Sequence, residues 1–488
     1  MTSPAVAAIA ERYEMVVGLE VHVQLKTRTK AFCNCSSAFG APPNTQVCPV
    51  CLALPGALPV LNVRAVELAT RAAIALGCTV HGTSIFARKN YFYPDLPKGY
   101  QITQFDRPLA TDGCVVIGTR ADGSPITVGV TRVHMEEDAG KSIHDRYTAH
   151  TAIDLNRAGV PLIEIVSEPD MRSTVEAGAY LRVVKQILAY MDVSDVSMEA
   201  GSLRVDANVS ARARGQTKLG TKTEVKNMNS FSAVERALDA EFIRQCGLLD
   251  RGEKVLQQTM LWDGATGQVR PSRSKEGSHD YRYFPEPDLP PLVLGAEWIE
   301  KVRSDLPERP AHRRQRYASD YGLSEKEIDV LAADIALSDY FEGVARQHGD
   351  AKVAGNWVMG EVSAALNARG IDIGDFRVRP ADLSKLLNMV RDSMVSHSAA
   401  KRIFAIMAET GNLPEQIAQR EGLLIVSDDA ALREWITEVM AEHPAEAARF
   451  RSGEKKLQGV LVGFVMKKSK GSADPKRVNQ LLAERTGT

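Results

Sequence analysis

With 488 residues, 44% hydrophobic and 25% charged, the chain has the composition of a folded protein of about two to four domains, which excludes an intrinsically disordered one. Its 60 basic and 61 acidic residues nearly cancel, which excludes a uniformly basic nucleic-acid binder and confines any attraction for phosphate to local patches.

The N-terminus lacks the basic leader of a secretory signal, because Pro4 to Ala10 is small and weakly apolar and Glu11 and Arg12 follow at once. The long uncharged stretch Ala31 to Val63 holds Pro42, Pro43, Pro49, Pro55 and Pro59, too many for a bilayer-spanning helix. The expectation is a cytoplasmic chain with no membrane span.

Along the chain, period-2 alternation first appears at Val16 to Leu25, with Leu19, Val21, Val23 and Leu25 on one face of a strand and Glu20, His22 and Gln24 on the other. Next come Cys33, Cys35, Cys48 and Cys51, two close pairs of the kind that supply four thiolates to structural zinc. Four reduced thiols, or a redox pair at Cys48 and Cys51, are the alternatives. Cys78, Cys114 and Cys246 stand alone and read as core residues. Arg88-Lys89-Asn90 and Asp95-Leu96-Pro97-Lys98-Gly99-Tyr100 offer cations for a phosphate, or simply solvated lysines. Gly140-Lys141-Ser142 imitates the end of a phosphate-binding loop, but Met135 stands where its first glycine belongs, and Glu136, Glu137 and Asp138 would repel an anion.

Pro161 to Val166 reads as a buried strand carrying Glu164, a carboxylate that needs a cation or hydrogen-bond partner. A second alternating strand, Leu203 to Ser210, puts Arg204, Asp206, Asn208 and Ser210 on its polar side. Helices are expected after capping boxes at Ser173 with Glu176 and at Ser232 with Glu235, the second stopping at Gly247. Pro285 to Pro291 ends this mixed region. Beyond it helical periodicity dominates, starting at Ser324 with Glu327 and continuing through 356–366, 383–394 and 401–407, with a break at Gly411 and Pro414. The reading is an α+β protein: a sheet-and-helix domain at 1–293, a helical domain at 294–410 and a small helical tail at 411–488. The tail is locally basic, with Lys455, Lys456, Lys467, Lys468, Lys470, Lys476 and Arg477 bordering the apolar run Gly459 to Met466, and such a patch is either a phosphate-binding surface or a solvated helix face.

The residues that remain for chemistry are Glu20, His22, Glu136, Glu137, Glu164 and Asp206. Hard oxygen ligands from several strands are how a protein holds magnesium against nucleotide phosphates, although each residue alone is equally a surface acid or a satisfied core histidine.

Several long strings together resemble one family, the B subunit of aspartyl/glutamyl-tRNA amidotransferase. They are Gly18-Leu19-Glu20-Val21-His22-Val23-Gln24-Leu25, Val47-Cys48-Pro49-Val50-Cys51, Lys89-Asn90-Tyr91-Phe92-Tyr93-Pro94-Asp95-Leu96-Pro97-Lys98-Gly99-Tyr100, His134-Met135-Glu136-Glu137-Asp138-Ala139-Gly140-Lys141, Asn156-Arg157-Ala158-Gly159-Val160-Pro161-Leu162, Arg204-Val205-Asp206-Ala207-Asn208 and Asp280-Tyr281-Arg282-Tyr283-Phe284-Pro285. The likeness spans essentially the whole chain and departs at Ser272 and Gly277, where a methionine and an acidic residue are expected.

The resemblance implies a cradle-shaped first domain, a helical linker and a tail that embraces tRNA. It implies that ATP phosphorylates the side-chain carboxylate of Glu-tRNA(Gln) or Asp-tRNA(Asn), and that ammonia from an amidase-type glutaminase, the A subunit of a heterotrimer completed by a small C subunit, displaces the phosphate. By resemblance the magnesium set is Glu20, His22, Glu137, Glu164 and Asp206 with Glu136 adjacent. Glu137, Glu164, Asp206 and Lys89 would then carry the chemistry, and Lys89 and Lys98 would hold nucleotide phosphate. A non-catalytic RNA-binding scaffold has no need of carboxylates that repel phosphate, and a metal-dependent phosphohydrolase has no need of a tRNA-binding tail.

Overall fold

The computed structural model describes residues 4–143, 149–272, 281–426, 428–469 and 471–485. Lys470, Gly277 and the segment Arg273-Ser274-Lys275-Glu276 with Asp280 lie outside the described residues. The chain divides into two compact units, Met1–Pro310 and Ala311–Thr488. The first is sheet and helix and the second is helical, an α+β protein as its sequence pattern implied. Among the described residues no helix is long and apolar enough to cross a membrane.

The strands of the first unit include β1 (Tyr13–Gln24), β2 (Thr79–Val80), β3 (Phe86–Asn90), β4 (Tyr100–Gln104), β5 (Ala110–Thr119), β6 (Pro125–Glu137), β7 (Pro161–Ser167), β8 (Leu203–Ala213), β9 (Thr223–Lys226), β10 (Thr259–Asp263), β11 (Gln268–Pro271) and β12 (Phe284–Pro285). Nine of them form one sheet in the order β11-β10-β9-β8-β1-β7-β6-β5-β2, antiparallel except between β9 and β10. β1 is central because neighbours pair along both its edges: with β8 from Tyr13 to Val23 and with β7 from Glu20 to Gln24.

Alternation then sorts the side chains. Leu19, Val21, Val23, Ile163, Ile165, Val205 and Val209 are buried on one face. Helix α1 (Val63–Ala75), helix α2 (Thr174–Tyr190) and helix α3 (Phe231–Asp250) cover the sheet there. α3 is pinned to that face by Thr223, whose hydroxyl donates to Glu241 at 2.8 Å, and by Gln245, which donates to the Val209 carbonyl at 3.1 Å.

Ser173 caps α2 as expected, accepting from the Glu176 amide at 3.2 Å. For α3 the cap is Ser230 rather than Ser232. Ser230 has extended backbone and accepts from the Ala233 amide at 3.1 Å, which leaves Ser232 inside the first turn. Gly247 does not stop this helix, which runs on to Asp250. The false phosphate loop is packed shut. The Gly140 amide donates to the Asp95 carbonyl at 2.8 Å, and a Cβ on Gly140 would lie 2.9 Å from that same oxygen.

In the second unit Ser324 and Glu327 form the expected capping box. The helix read at 356–366 is two α segments, Ala351–Trp357 and Ser363–Arg369, joined by a π turn at Val358–Val362. Two apolar cores separate here: one spans Tyr317 to Leu423, including Phe341, Leu386, Ile403 and Ile417, and the other spans Leu432 to Leu482. The apolar run of the tail lies in helix Leu457–Lys468, with Leu461 and Val465 in the second core.

Candidate active site

The polar face of the large sheet carries a continuous row of charge. Register sets it: His22 lies opposite Glu164 and Arg204, Glu20 opposite Asp206, Glu164 opposite His134, and Asn208 opposite Glu224. Two clusters result. In one, His22 Nε2 is 3.3 Å from Glu164 and 3.8 Å from Glu136, and His134 Nε2 is 3.4 Å from Glu164 and 3.8 Å from Glu136. In the other, one oxygen each from Glu20, Asp206 and Glu224 lie within 4.8 Å of one another.

The two clusters hold charge differently. Burial alone would lower the His22 pKa, but the hydrogen bond and charge of Glu164, with Glu136 and Asp206 behind them, raise it to about 9. Burial also works against ionised Glu164, yet the charges and hydrogen bonds of His134 and His22 hold it well below the usual carboxylate range. Glu20 moves up, from burial first and then from repulsion by Glu164 and Glu224. Asn208 donates to Glu20 at 2.9 Å, and Lys226 Nζ reaches Asp206 at 2.6 Å and Glu224 at 3.1 Å. Hard oxygens and an imidazole converging from five strands fit a divalent cation with phosphate attached. A cation at His22 would have to displace its proton.

These groups line an open cavity of about 1250 Å³, together with Lys89, Tyr91, Phe92, Phe105, Arg132, Tyr281 and Tyr283. Lys89 reaches in from β3, its ammonium 4.8 Å from the Tyr281 ring centroid. Burial opposes its charge, but Glu136, with Tyr283 and Glu164 after it, outweighs burial and raises its pKa. The row closes on Asp138, whose carboxylate accepts from Arg204 at 2.8 and 3.0 Å and from Gln24 at 2.7 Å.

The structure brings together Glu20, His22, Glu136, Glu164, Asp206 and Lys89, and it separates Glu137 and Lys98 from them. Glu137 follows Glu136 on β6 and so points to the opposite side. There it pairs with Lys98 Nζ and accepts from the Ile102 amide at 2.9 Å, in a second cavity of about 210 Å³ shared with Lys30, Cys33 and Cys51. Sequence reasoning did not single out His134, Glu224 and Lys226. For His134 the i, i+2 spacing to Glu136 was the available signal.

The sulfurs of Cys33, Cys35, Cys48 and Cys51 also converge, all within 4.8 Å of one another and none in a disulfide. Cys48 and Cys51 sulfurs are 3.9 Å apart, close to the roughly 3.8 Å edge of a tetrahedron built from Zn–S bonds of about 2.3 Å. The hydrogen bond from Cys33, helped by the Cys48 amide and Lys30, lowers the Cys51 thiol, while the same contact raises Cys33. In the tail, Lys468 is paired with Glu438 and Glu442, both at 2.7 Å, and Arg477 with Asp429 at 2.6 Å. Lys455, Lys456, Lys467 and Lys476 are exposed.

Comparison with known proteins agrees over nearly all of the chain. The family model described as the GatB/GatE catalytic domain matches residues 15–300, and that described as the GatB domain matches residues 339–485. The chain is similar to proteins from three bacteria that are each named as the B subunit of aspartyl/glutamyl-tRNA(Asn/Gln) amidotransferase. Identity is 49% over 96% of this chain and 98% of the Thermodesulfovibrio yellowstonii protein. It is 50% over 97% of this chain and 99% of the Chlorobium chlorochromatii protein. It is 51% over 97% of this chain and 99% of the Moorella thermoacetica protein. The chain therefore belongs to the B-subunit family of the aspartyl/glutamyl-tRNA(Asn/Gln) amidotransferases.

Proposed function

We propose that this chain is the carboxylate-activating, tRNA-handling subunit of a cytoplasmic amidotransferase, acting as a carbon–nitrogen ligase on Glu-tRNA(Gln), Asp-tRNA(Asn) or both. A carboxylate is a poor electrophile, so ammonia displaces its oxygen only after that oxygen has been made a leaving group. One side-chain oxygen of the esterified amino acid attacks the γ-phosphorus of ATP and releases ADP. Ammonia from a partner glutaminase, in a heterotrimer with a small third subunit, then attacks the acyl carbon and expels phosphate carrying that oxygen.

The observation that carries this reading is the paired acidic clusters opening, beside Lys89, into one cavity large enough for two substrates. Glu20, Asp206 and Glu224 form one candidate magnesium position, and His22, Glu136 and Glu164 the other. Magnesium, when bound, neutralises nucleotide phosphates and steadies the group in transfer. Lys89 places a positive charge beside the phosphates, and Lys226 keeps Asp206 and Glu224 oriented. Glu137 and Lys98, on the far side of β6, act outside this cavity. The four cysteines hold structural zinc, which staples the proline-rich loop. Reconstituting the chain with its glutaminase and small partner subunits and assaying both misacylated tRNAs side by side tests the function. Absence of ATP-dependent amidation on either would overturn it.

For the tail we propose tRNA binding through the exposed Lys455, Lys456, Lys467 and Lys476, with Lys470 contributing by sequence and Lys468 and Arg477 chiefly holding helices together. Ile417, Ala418 and Leu423 belong to the preceding core, so the truncation that removes the tail alone starts at Asp428. This truncation should raise the KM for misacylated tRNA at least about 10-fold and flatten its salt dependence, because phosphate contacts release counterions. The KM for ATP should stay put. Filter binding at several salt concentrations checks it: equal slopes for full-length and truncated complexes would assign the tail another task.

A further inference from the structure

The wall of the cavity beside Glu136 is aromatic, and no step of the proposed chemistry uses it. Phe105 and Tyr283 stack face to face with ring centroids 4.0 Å apart and planes inclined by 1°. Both line the cavity. Phe105 is 43% exposed, so the stack ends on an open ring, and Phe92, which also lines the cavity, is 80% exposed. Large aromatic rings this open inside a cavity are costly to leave against water, and they are what proteins use to stack splayed-out bases of single-stranded RNA.

We propose that the Phe105–Tyr283 stack is the platform for the terminal, unpaired purine base of the tRNA acceptor end. This rests on the functional reading above and follows from where the acids lie. The Thr103 hydroxyl donates to Glu136 at 3.3 Å, and Phe105 lies two residues further along, just past the end of β4 and so at most about 7 Å away along the backbone. An amino acid whose side-chain carboxylate sits at the acidic clusters is esterified to the terminal ribose. The attached base therefore falls one ester and one sugar away from those acids, on the adjoining wall. Neither ring offers a hydrogen-bond code, so the platform grips the base without reading it, as suits an end shared by different tRNAs.

The test uses the reconstituted complex and two fluorescent probes, an acceptor-stem RNA duplex with 2-aminopurine as its 3′-terminal base and 2-aminopurine riboside triphosphate. Anisotropy measures binding and quenching reports stacking. The expected result is quenching of the RNA probe by wild type, its loss in Phe105→Ala even at saturating probe, and its retention in Phe105→Trp. The KM of Phe105→Ala for misacylated tRNA should rise roughly 5- to 140-fold, the span of one lost base–aromatic stack, with the KM for ATP unmoved. RNA that binds with equal quenching in wild type and Phe105→Ala overturns the proposal. Quenching confined to the triphosphate probe also overturns it, and gives the platform to the nucleotide. RNA that does not bind wild type at all overturns the functional reading beneath it.

Discussion

Glu164→Gln should lower the rate of ATP-dependent amidation at least about 100-fold while leaving tRNA affinity within about twofold. Glu164 is 7% exposed and its carboxylate is shared by two imidazoles, His22 at 3.3 Å and His134 at 3.4 Å. Glutamine keeps the shape and hydrogen-bonding reach but deletes the negative charge, leaving Glu136 to face both rings. Groups aimed at developing charge in a water-poor site are worth about 100- to 1000-fold in rate each, and loss of a ligand charge adds a weakened cation site. The proposed tRNA contacts lie in the tail and at the Phe105–Tyr283 stack, neither of which the substitution touches, so the loss belongs in kcat rather than in tRNA binding. Single-turnover amidation at saturating ATP and tRNA measures it, and a wild-type rate would remove Glu164 from the site.

Removing the proposed zinc should unfasten the loop of residues 31–62 while the sheet stays folded. This loop has no regular element of its own and five prolines, and its backbone bonds are mostly single turns such as Leu52 N–H to the Cys48 carbonyl at 3.0 Å. It exposes Phe39 at 85% and also Leu54, Leu58 and Val60, so little apolar burial holds it. Four thiolates closed on one ion supply what packing does not, and apparent zinc-binding energies of about 10–16 kcal/mol in small zinc domains give the scale of the loss. Purified protein should contain close to one zinc per chain. Cys48→Ser should lose most of that metal and become cleavable within the loop by a protease at concentrations that leave wild type intact. β1 and the helices behind it should keep their far-UV signature. Metal-free wild-type protein with undiminished protease resistance would contradict the assignment.

The polar row of the sheet was legible in the amino-acid sequence because β1 alternates from Leu19 to Gln24 and β8 from Leu203 to Val209, so Glu20, His22 and Asp206 declare a common face. Glu164 stood out as a lone carboxylate in an apolar strand. The pair Glu136 and Glu137 could not be divided the same way. Adjacent residues on a strand point to opposite faces, and which one meets the cavity depends on the pairing of β6 with β7, a long-range register. The same register brings His134 against Glu164. Glu224 and Lys226 sit on a four-residue strand, too short for alternation to register as a signal. The cap of α3 was misplaced for a local reason. Ser230 and Ser232 both precede the apolar run, and only backbone conformation separates them. Charge counts in the tail missed that Lys468 and Arg477 face acids of neighbouring helices, contacts that exist only once the second core of that unit has formed.

The claim that the cavity activates a carboxylate by phosphorylation is tested most directly by following one oxygen. Glu-tRNA(Gln) or Asp-tRNA(Asn) labelled with ¹⁸O in both side-chain carboxylate oxygens is amidated by the reconstituted complex with unlabelled ATP in unlabelled water, and the released phosphate is examined by mass spectrometry. One ¹⁸O should appear per phosphate for each amide formed, with the other retained in the amide, and Glu164→Gln should produce neither labelled phosphate nor amide. Amide formed at the wild-type rate alongside phosphate free of label would mean that ATP is hydrolysed by water, and the acidic face would then have to serve some other purpose.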